Sequence, residues 1–280
     1  MYLVTGATGN VGSEVVKQLL AAGKTVRVFT RDAAKVAHWG GQVEVALGDF
    51  ISPESFAKAA SGIEGIFIMN GALDGGIFRQ LIAAAKVQGN PRVVFLSTLF
   101  AGSAESPIGQ LHKDKEDVIR ASGLPGGFIR AGSFMTNAYQ WLGAIKAEGT
   151  VYNPMSDGKV APVAAEDIAA IAVHALTDAG TSIELFEVTG SELLTTAEQV
   201  QILSKAANRP IRCVDVPTES AVQRLISNGT PAPVAAAVAQ SFQDVRAGKM
   251  AVVKDTVLRV TGRQPKTFQS WAQEHASKFA

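Results

Sequence analysis

Three glycines spaced G-x-x-G-x-x-G constrain the fold of this chain more than any other feature. They follow the apolar run 2–4 and precede a segment, 11–20, whose valines and leucines recur on one helix face. In dinucleotide-binding folds, a strand, a glycine turn and a helix in this order bind a pyrophosphate at the helix N-terminus. Gly6 is expected to form the tight turn, Gly9 to admit the pyrophosphate, and Gly12 to let the helix pack closely.

A glycine trio alone also occurs in ordinary turns, and its position between this strand and this helix is what indicates a cofactor. The contacts predicted from this loop are Gly6, Thr8, Gly9, Asn10, Val11 and Gly12.

Composition excludes several classes of protein. Among 280 residues, 26 Lys and Arg balance 25 Asp and Glu, which argues against a nucleic-acid or membrane-surface partner. Cys213 is the single cysteine, so an intrachain disulfide and a cysteine-rich metal site are excluded. No uncharged apolar run reaches the ~18 residues of a membrane span. The first strand begins at residue 2, which leaves no room for a signal peptide, so we expect a cytoplasmic protein.

Apolar β-rich runs alternate with amphipathic helical runs over roughly the first half of the chain. Strands are predicted over 25–30, 43–47, 65–69, 92–98 and 127–130. Helices are predicted between them, over 10–22, 53–60, 76–87 and 110–121. Near-continuous apolar strands separated by helices indicate a parallel sheet covered on both faces. We therefore predict an α/β protein with a doubly wound Rossmann sheet.

The pattern changes after about residue 133. Further elements are predicted as a helix over 136–147, a loop over 153–159, a helix over 167–176 and strands over 185–189 and 211–216. The rest of the chain from Thr195 is mostly helical. We predict a cofactor-binding domain over 1–133, rejoined by segments near 160–190, and a smaller, mostly helical substrate lobe over 134–280.

The glycine spacing resembles that of short-chain dehydrogenases/reductases, and "TGATGNVG" resembles their atypical NmrA-like branch. Similar segments along the chain are "RVFTRD", "GDF", "VVFLST", "SGLPGGFIRAGSFMTN", "APVAAEDIA" and "FEVTG". This branch includes NADPH-dependent quinone and dye reductases, isoflavone-reductase-like enzymes and redox-sensing regulators. The resemblance implies a nicotinamide cofactor.

The end of the second predicted strand bears on the choice of nucleotide. NAD-selective sites carry a carboxylate there, whereas this strand ends at Thr30 and Arg31 follows. A guanidinium can pair bidentately with a 2′-phosphate, and Arg31 resembles the NADP-preferring members, with Lys35 as a second candidate. The alternative is a solvated Arg31 beside Asp32, which would cap a helix. We expect NADPH to be preferred over NADH.

The resemblance implies further cofactor contacts after the third, fourth and fifth strands. Asp49 and Phe50 resemble the adenine contact, although both also suit a turn and cap before Pro53. The loop after the fourth strand is expected to contact the ribose and pyrophosphate through its backbone. The remaining contacts are Asn70, Gly71, Ala72 and Ser97.

The catalytic positions depart from the common pattern of short-chain dehydrogenases. Thr98 matches the Ser/Thr position, but Tyr-x-x-x-Lys is replaced by Ile108 and His112. Without the tyrosine, carbonyl reduction by the standard mechanism is not expected. The quinone- and dye-reductase-like relatives carry His-x-x-x-Glu here, as His112 and Glu116 do. His112 is interpreted as a proton donor to the acceptor, or as a structural or ribose-binding histidine without an acid role; a metal site is not expected.

The segment after the sixth strand lies beside the nicotinamide in the family that this chain resembles. Phe134 and Met135 would suit a flat apolar acceptor, with Asn137 as a third contact. The alternative is that Phe134 and Met135 pack in a core between the lobes. Further candidates for lining a pocket are Tyr139, Trp141 and Tyr152.

Two functions are compatible with these features. We expect an NADPH-dependent oxidoreductase that transfers hydride to a quinone or similar electrophilic acceptor, because such transfer needs no accurately placed proton donor. The alternative is an NmrA-type redox sensor that binds NADP(H) and regulates a protein partner without turnover. An isomerase or lyase with bound NAD(P) fits the fold but has no supporting motif. The expected partner is a small-molecule acceptor, with a homodimer left open.

Overall fold

The computed structural model describes residues 1–69, 74–178, 180 and 182–280. Its strands are β1 (Tyr2–Thr5), β2 (Val26–Thr30), β3 (Val43–Leu47), β4 (Gly65–Met69), β5 (Arg92–Thr98), β6 (Gly126–Ala131), β7 (Thr150–Asn153), β8 (Lys159–Val160), β9 (Ile183–Val188), β10 (Leu194–Thr195) and β11 (Arg212–Asp215).

The α-helices are α1 (Asn10–Ala21), α2 (Pro53–Ala59), α3 (Gly75–Val87), α4 (Pro107–Ser122), α5 (Leu142–Glu148), α6 (Ala165–Thr177), α7 (Thr196–Ala206), α8 (Thr218–Ser227), α9 (Ala232–Arg246), α10 (Thr256–Thr261), α11 (Phe268–Glu274) and α12 (Ala276–Phe279). Segments of 3₁₀ helix cover Ala33–Gln42, Leu99–Gly102 and Met135–Trp141.

Seven strands form one sheet in the order β3-β2-β1-β4-β5-β6-β9. The neighbouring strands from β3 to β6 pair in parallel. The strand order reverses at β1, which has β2 on one side and β4 on the other, and this reversal is the topological switch point of a doubly wound sheet. The predicted Rossmann fold is confirmed.

Burial explains why the strands are apolar on both sides. Leu3 of β1, Ile66 and Ile68 of β4 and Phe95 of β5 lie in one core cluster with side chains of α2, α3 and α4. α1 packs against α6. Helices that cover both faces of a parallel sheet exclude water from all of its strand side chains, so the strands are apolar throughout instead of alternating between polar and apolar residues.

The chain divides into two compact units. Unit 1 comprises 1–101, 111–131 and 165–187, and unit 2 comprises 102–110, 132–164 and 188–280. Unit 1 holds the large sheet, whereas unit 2 holds the strand pairs β10-β8 and β11-β7 and most of the remaining helices. Among the described helices, none is long and apolar enough to span a bilayer.

Unit 2 differs from the sequence expectation in two places. The helix predicted over 136–147 is a 3₁₀ helix, Met135–Trp141, followed by the short helix α5, which ends at Gly149 with φ of +61°. The strand β7 is not predicted by its sequence, and it pairs in parallel with β11 through Val151 and Cys213. A four-residue strand is too short to show a recognisable hydrophobic periodicity. Its pairing could not be read from nearby residues either, because its partner lies some sixty residues away in the chain.

Candidate cofactor site

The loop that follows β1 is held at both of its ends. The Thr5 hydroxyl donates to the Phe67 carbonyl at 3.1 Å and accepts from the Met69 N–H at 3.0 Å, which ties the end of β1 to β4. Gly6 follows with φ of +65°, a conformation that glycine adopts without the steric cost of a Cβ. The Gly9 N–H donates to the Gly6 carbonyl at 2.9 Å. These contacts close the tight turn expected at Gly6.

Gly12 determines how closely α1 approaches this turn. A Cβ built on Gly12 would lie 2.2 Å from the Gly6 carbonyl oxygen and 2.6 Å from the carbonyl carbon. A Cβ on Gly9 would lie 3.3 Å from the same oxygen. Since the atoms in the way at Gly12 are backbone, only glycine fits there without moving the helix or the turn.

The first turn of α1 has a helix N-terminus without a side-chain cap from the described part of the chain. Gly9 is the N-cap in an extended conformation, and no side chain in the described structure caps the helix or places an acid in its first turn. Thr8 and Asn10 are exposed, whereas the Val11 side chain is buried, so that Val11 offers only its backbone. Uncapped N–H groups at the positive end of a helix dipole bind phosphate. The bare glycine turn therefore fits the pyrophosphate of a dinucleotide.

The ends of β2 and β3 lie at the same edge of the sheet. Thr5 pairs with Phe29, and Thr30 pairs with Leu47, so the loops after β1, β2 and β3 follow one another along this edge. Neighbouring loops at the carboxyl edge of an open parallel sheet are the usual position of a nucleotide site.

Arg31 directly follows β2. Its side chain and that of Lys35 are exposed, and Arg31 forms no ion pair with a residue in the described ranges. The Asp32 carboxylate accepts from the Ala34 N–H at 2.9 Å, so it caps the 3₁₀ helix Ala33–Gln42 as the alternative interpretation expects. The positive charge at the end of β2 is therefore not neutralised by the neighbouring acid.

Asp49 and Phe50 serve the local structure after β3. The Asp49 N–H donates to the Ser55 hydroxyl at 3.3 Å. The Phe50 ring packs 5.4 Å from the ring of Phe29 and 6.1 Å from that of Phe56, between ring centroids. The Asp49 carboxylate also accepts from the Ile51 N–H, and Ser52 caps α2, so the turn and the cap expected before Pro53 are both found. A contact of Asp49 and Phe50 with adenine stays a prediction. Three further predicted contacts, which fall outside the described residues, are Asn70, Gly71 and Ala72.

A buried carboxylate joins β5, α4 and β6. Glu116 is fully buried, and its Oε1 accepts from Ser97 Oγ at 2.6 Å and from Arg130 Nε at 2.9 Å. Its Oε2 accepts from Arg130 Nη2 at 2.7 Å. These hydrogen bonds to Glu116 hold the pKa of the Arg130 guanidinium above its usual value. Buried charges persist when they are paired and hydrogen-bonded, as this pair is.

Sequence reasoning did not assign this network. It gave Ser97 to the cofactor, whereas the Ser97 hydroxyl is buried and donates to Glu116. The available signal was Arg130 itself, because an arginine within the apolar strand β6 requires a buried acid.

The two predicted catalytic residues, Thr98 and His112, both belong to unit 1. Thr98 ends β5 at the carboxyl edge, and its hydroxyl accepts from the Phe100 N–H at 3.3 Å. His112 is half-buried on α4, with its ring centroid 6.0 Å from that of Phe95 on β5. One turn later, Glu116 is engaged by the buried network. The His-x-x-x-Glu pattern therefore combines a partly accessible imidazole with a structural carboxylate.

The predicted substrate residues lie in unit 2. Met135 is buried, and it packs in the core of unit 2 itself. Phe134 is half-buried and forms an isolated parallel bridge with Val163. Asn137 is exposed, and its amide donates to Ser133 Oγ at 3.3 Å. Within the described residues, no group of three or more His, Cys, Asp or Glu side chains is arranged to bind a metal.

We expect Gly12→Ala to lower the free energy of unfolding by about 1–3 kcal/mol, because the added methyl overlaps backbone that cannot move independently. Urea denaturation measures this loss, and calorimetry should show weaker NADPH binding. The control is Gly143→Ala in α5, where a Cβ meets nothing within 4 Å; it should be neutral or stabilising by up to about 1 kcal/mol. Equal effects of the two substitutions would contradict the packing role of Gly12.

Glu116→Ala should destabilise the protein by about 3–5 kcal/mol, because it leaves the Arg130 guanidinium buried without its acid. The control is Asp117→Ala on the same helix, whose exposed pair with Lys113 is worth less than about 1 kcal/mol. The double variant Glu116→Leu/Arg130→Met should recover most of the loss. If Glu116→Ala costs no more than Asp117→Ala in urea denaturation, the buried pair is not a structural requirement.

Comparison with known proteins places the chain in a family. The NmrA-like family matches residues 2–265. The chain is 36% identical to an NAD(P)H azoreductase of Xenophilus azovorans, over 100% of this chain and 99% of that protein. It is 35% identical, over 100% and 99%, to a (4-alkanoyl-5-oxo-2,5-dihydrofuran-3-yl)methyl phosphate reductase of Streptomyces griseus.

A solved structure has the same fold at lower sequence identity. The NADPH-dependent quinone oxidoreductase of Escherichia coli, crystallised with NADPH, superposes with a TM-score of 0.86 at 22% identity. The superposition covers 98% of this chain and 99% of that one. The family match and the full-length relatives agree with the bare glycine turn and the doubly wound sheet, and the chain belongs to the NmrA-like family.

Proposed function

We propose that this NAD(P)H-dependent oxidoreductase uses NADPH to reduce a quinone or a similar electrophilic, conjugated acceptor. The observation that carries the proposal is the uncapped N-terminus of α1 behind the bare turn at Gly6 and Gly9. A full-length relative at 36% identity is an NAD(P)H azoreductase, which supports a reductase of this type. The nicotinamide supplies the hydride, while the protein orients it and excludes water.

Arg31 supports the choice of NADPH. It follows β2 at the position where NAD-selective sites carry a carboxylate, and Asp32 is turned to the Ala34 N–H instead. The exposed guanidinium can form a bidentate, charge-assisted pair with a 2′-phosphate, whereas the 2′-hydroxyl of NADH offers it no charge.

The absence of a tyrosine at position 108 supports an acceptor whose reduction needs no accurately placed proton donor. Ile108 stands where short-chain dehydrogenases carry their proton donor, so a simple carbonyl would lack an acid in the transition state. A quinone or azo group accepts hydride into a conjugated system, and its proton can come from His112 or from water. The azoreductase and dihydrofuranone-phosphate reductase relatives are named for acceptors with unsaturated groups of this kind.

Arg31→Glu should weaken NADPH binding by about tenfold or more and change NADH binding little, because only NADPH carries the 2′-phosphate. Calorimetric titration with both nucleotides measures the difference. Lys24→Glu, at the opposite end of β2, makes the same charge change and should leave both affinities unchanged. Equal losses for the two nucleotides in Arg31→Glu would show that this residue does not contact the 2′-phosphate.

Steady-state oxidation of NADPH with a panel of benzoquinones and naphthoquinones tests the activity. We expect acceptor-dependent turnover; if His112 is the proton donor, His112→Ala should lower kcat at least about tenfold while NADPH affinity stays within about twofold. His174→Ala, which changes an exposed histidine of α6, should retain the wild-type kcat. A loss of affinity at constant kcat would make His112 a binding residue. Tight NADPH binding without turnover by any acceptor would favour the sensor.

A further inference from the structure

A cavity of about 330 Å³ is lined by residues of unit 2 alone, and none of them is a predicted cofactor contact. Its walls come from the end of the 3₁₀ helix Met135–Trp141, from β7 and the residues after it, and from α7, α8 and α9. The large side chains that line it are Trp141, Tyr152, Met155, Leu225 and Phe242. Flat aromatic walls and a methionine are typical of sites that bind planar organic ligands.

Arg224 is the single charged residue among the described residues that line this cavity. Its guanidinium carbon lies 4.0 Å from the centroid of the Tyr152 ring, so the guanidinium is held over the ring by a cation–π contact. The Tyr152 hydroxyl donates to the Glu148 carboxylate, which fixes the ring. Arg224 itself makes no ion pair with any described residue.

This arrangement leaves Arg224 available for an anion. A guanidinium that contacts an aromatic ring and makes no ion pair can still donate through its N–H groups to two oxygens of a carboxylate or sulfonate. Glu148 meets the hydroxyl end of Tyr152 rather than forming a salt bridge with Arg224. The positive charge at the cavity therefore lacks a protein counterion in the described structure.

Thr196 provides an independent sign of a missing partner. Its side chain lines the same cavity, it is 2% exposed, and its Oγ1 has no hydrogen-bond partner among the described residues. The N-terminus of α7 does not use this hydroxyl, because Thr195 and Glu198 already form a reciprocal capping box. Buried hydroxyl groups are almost always hydrogen-bonded in folded proteins, so an unmatched one on a cavity wall can receive a hydrogen bond from, or donate one to, a bound molecule.

We propose that this cavity is a binding site for a small, flat aromatic anion such as an aromatic carboxylate or sulfonate. Its ring packs against Trp141 and Tyr152, its anionic group pairs with Arg224, and Thr196 Oγ1 hydrogen-bonds a polar atom of the ligand. The site extends beyond the proposed reductase activity, because binding here requires neither the cofactor nor turnover.

Titration of the full-length protein with 2-naphthalenesulfonate and with neutral 2-naphthol tests the proposal. These probes share one ring system and differ in charge. Calorimetry should show binding of the sulfonate with one site per chain and binding of the naphthol at least about tenfold weaker, as expected for a charge-assisted pair. The sulfonate should quench tryptophan fluorescence, and Trp141→Phe should abolish most of the quenching. Equal affinities for the two probes, or no binding of the sulfonate, would overturn the proposal.

Two variants assign the polar contacts. Arg224→Gln should reduce sulfonate affinity to the level of naphthol, whereas Arg259→Gln, an exposed arginine of α10, should bind like the wild type. Thr196→Val should raise Tm without ligand, because it removes an unmatched hydroxyl, and yet bind the sulfonate several-fold more weakly. A threonine with only a structural role would change Tm without changing affinity. Wild-type affinity in both Arg224→Gln and Thr196→Val would place the ligand elsewhere.

Discussion

The close approach of α1 to the turn after β1 is the constraint on which unit 1 depends. A single methyl group at Gly12 would collide with the Gly6 carbonyl at 2.2 Å, so the helix and the turn are held at a distance that only a hydrogen atom allows. The Thr5 hydroxyl ties the same turn to β4 across the switch point of the sheet. Because the turn cannot move away from the helix, the first N–H groups of α1 stay without a side-chain cap from the described residues, as a phosphate site at a helix N-terminus requires.

A second constraint lies on the other side of the switch point. Glu116 of α4 binds Arg130 of β6 and Ser97 of β5, and these three elements cannot shift relative to one another without separating buried charges. Thr98 directly follows Ser97, and His112 lies one helical turn before Glu116. The predicted catalytic residues are therefore carried on elements that an ion pair fixes, which is how a reactive group is kept in place without a large rigid loop.

Glu116 and Thr196 are both buried polar residues, but they differ in whether the protein supplies their hydrogen-bond partners. Every oxygen of Glu116 is matched within unit 1, whereas the Thr196 hydroxyl faces a cavity without a partner among the described residues. Arg130 and Arg224 differ in the same way, since one is neutralised by a buried acid and the other only rests on a tyrosine ring. Buried polar groups are almost always hydrogen-bonded, so an unmatched one on a cavity wall is a position where a bound molecule can complete the hydrogen bonding.

Local physics was enough to predict the sheet and its glycine turn from sequence, because apolar strands and amphipathic helices repeat within a few residues and Gly6, Gly9 and Gly12 are adjacent. Asp32 as a cap could be foreseen for the same reason. The strand β7, the break in the helix after Met135, and the Glu116–Arg130 pair could not, since each depends on partners distant in the chain. The sequence by itself determined a doubly wound sheet with a tight glycine turn after its first strand. Only the tertiary structure decided which polar side chains satisfy one another and which have no partner among the described residues, because that depends on contacts between distant segments.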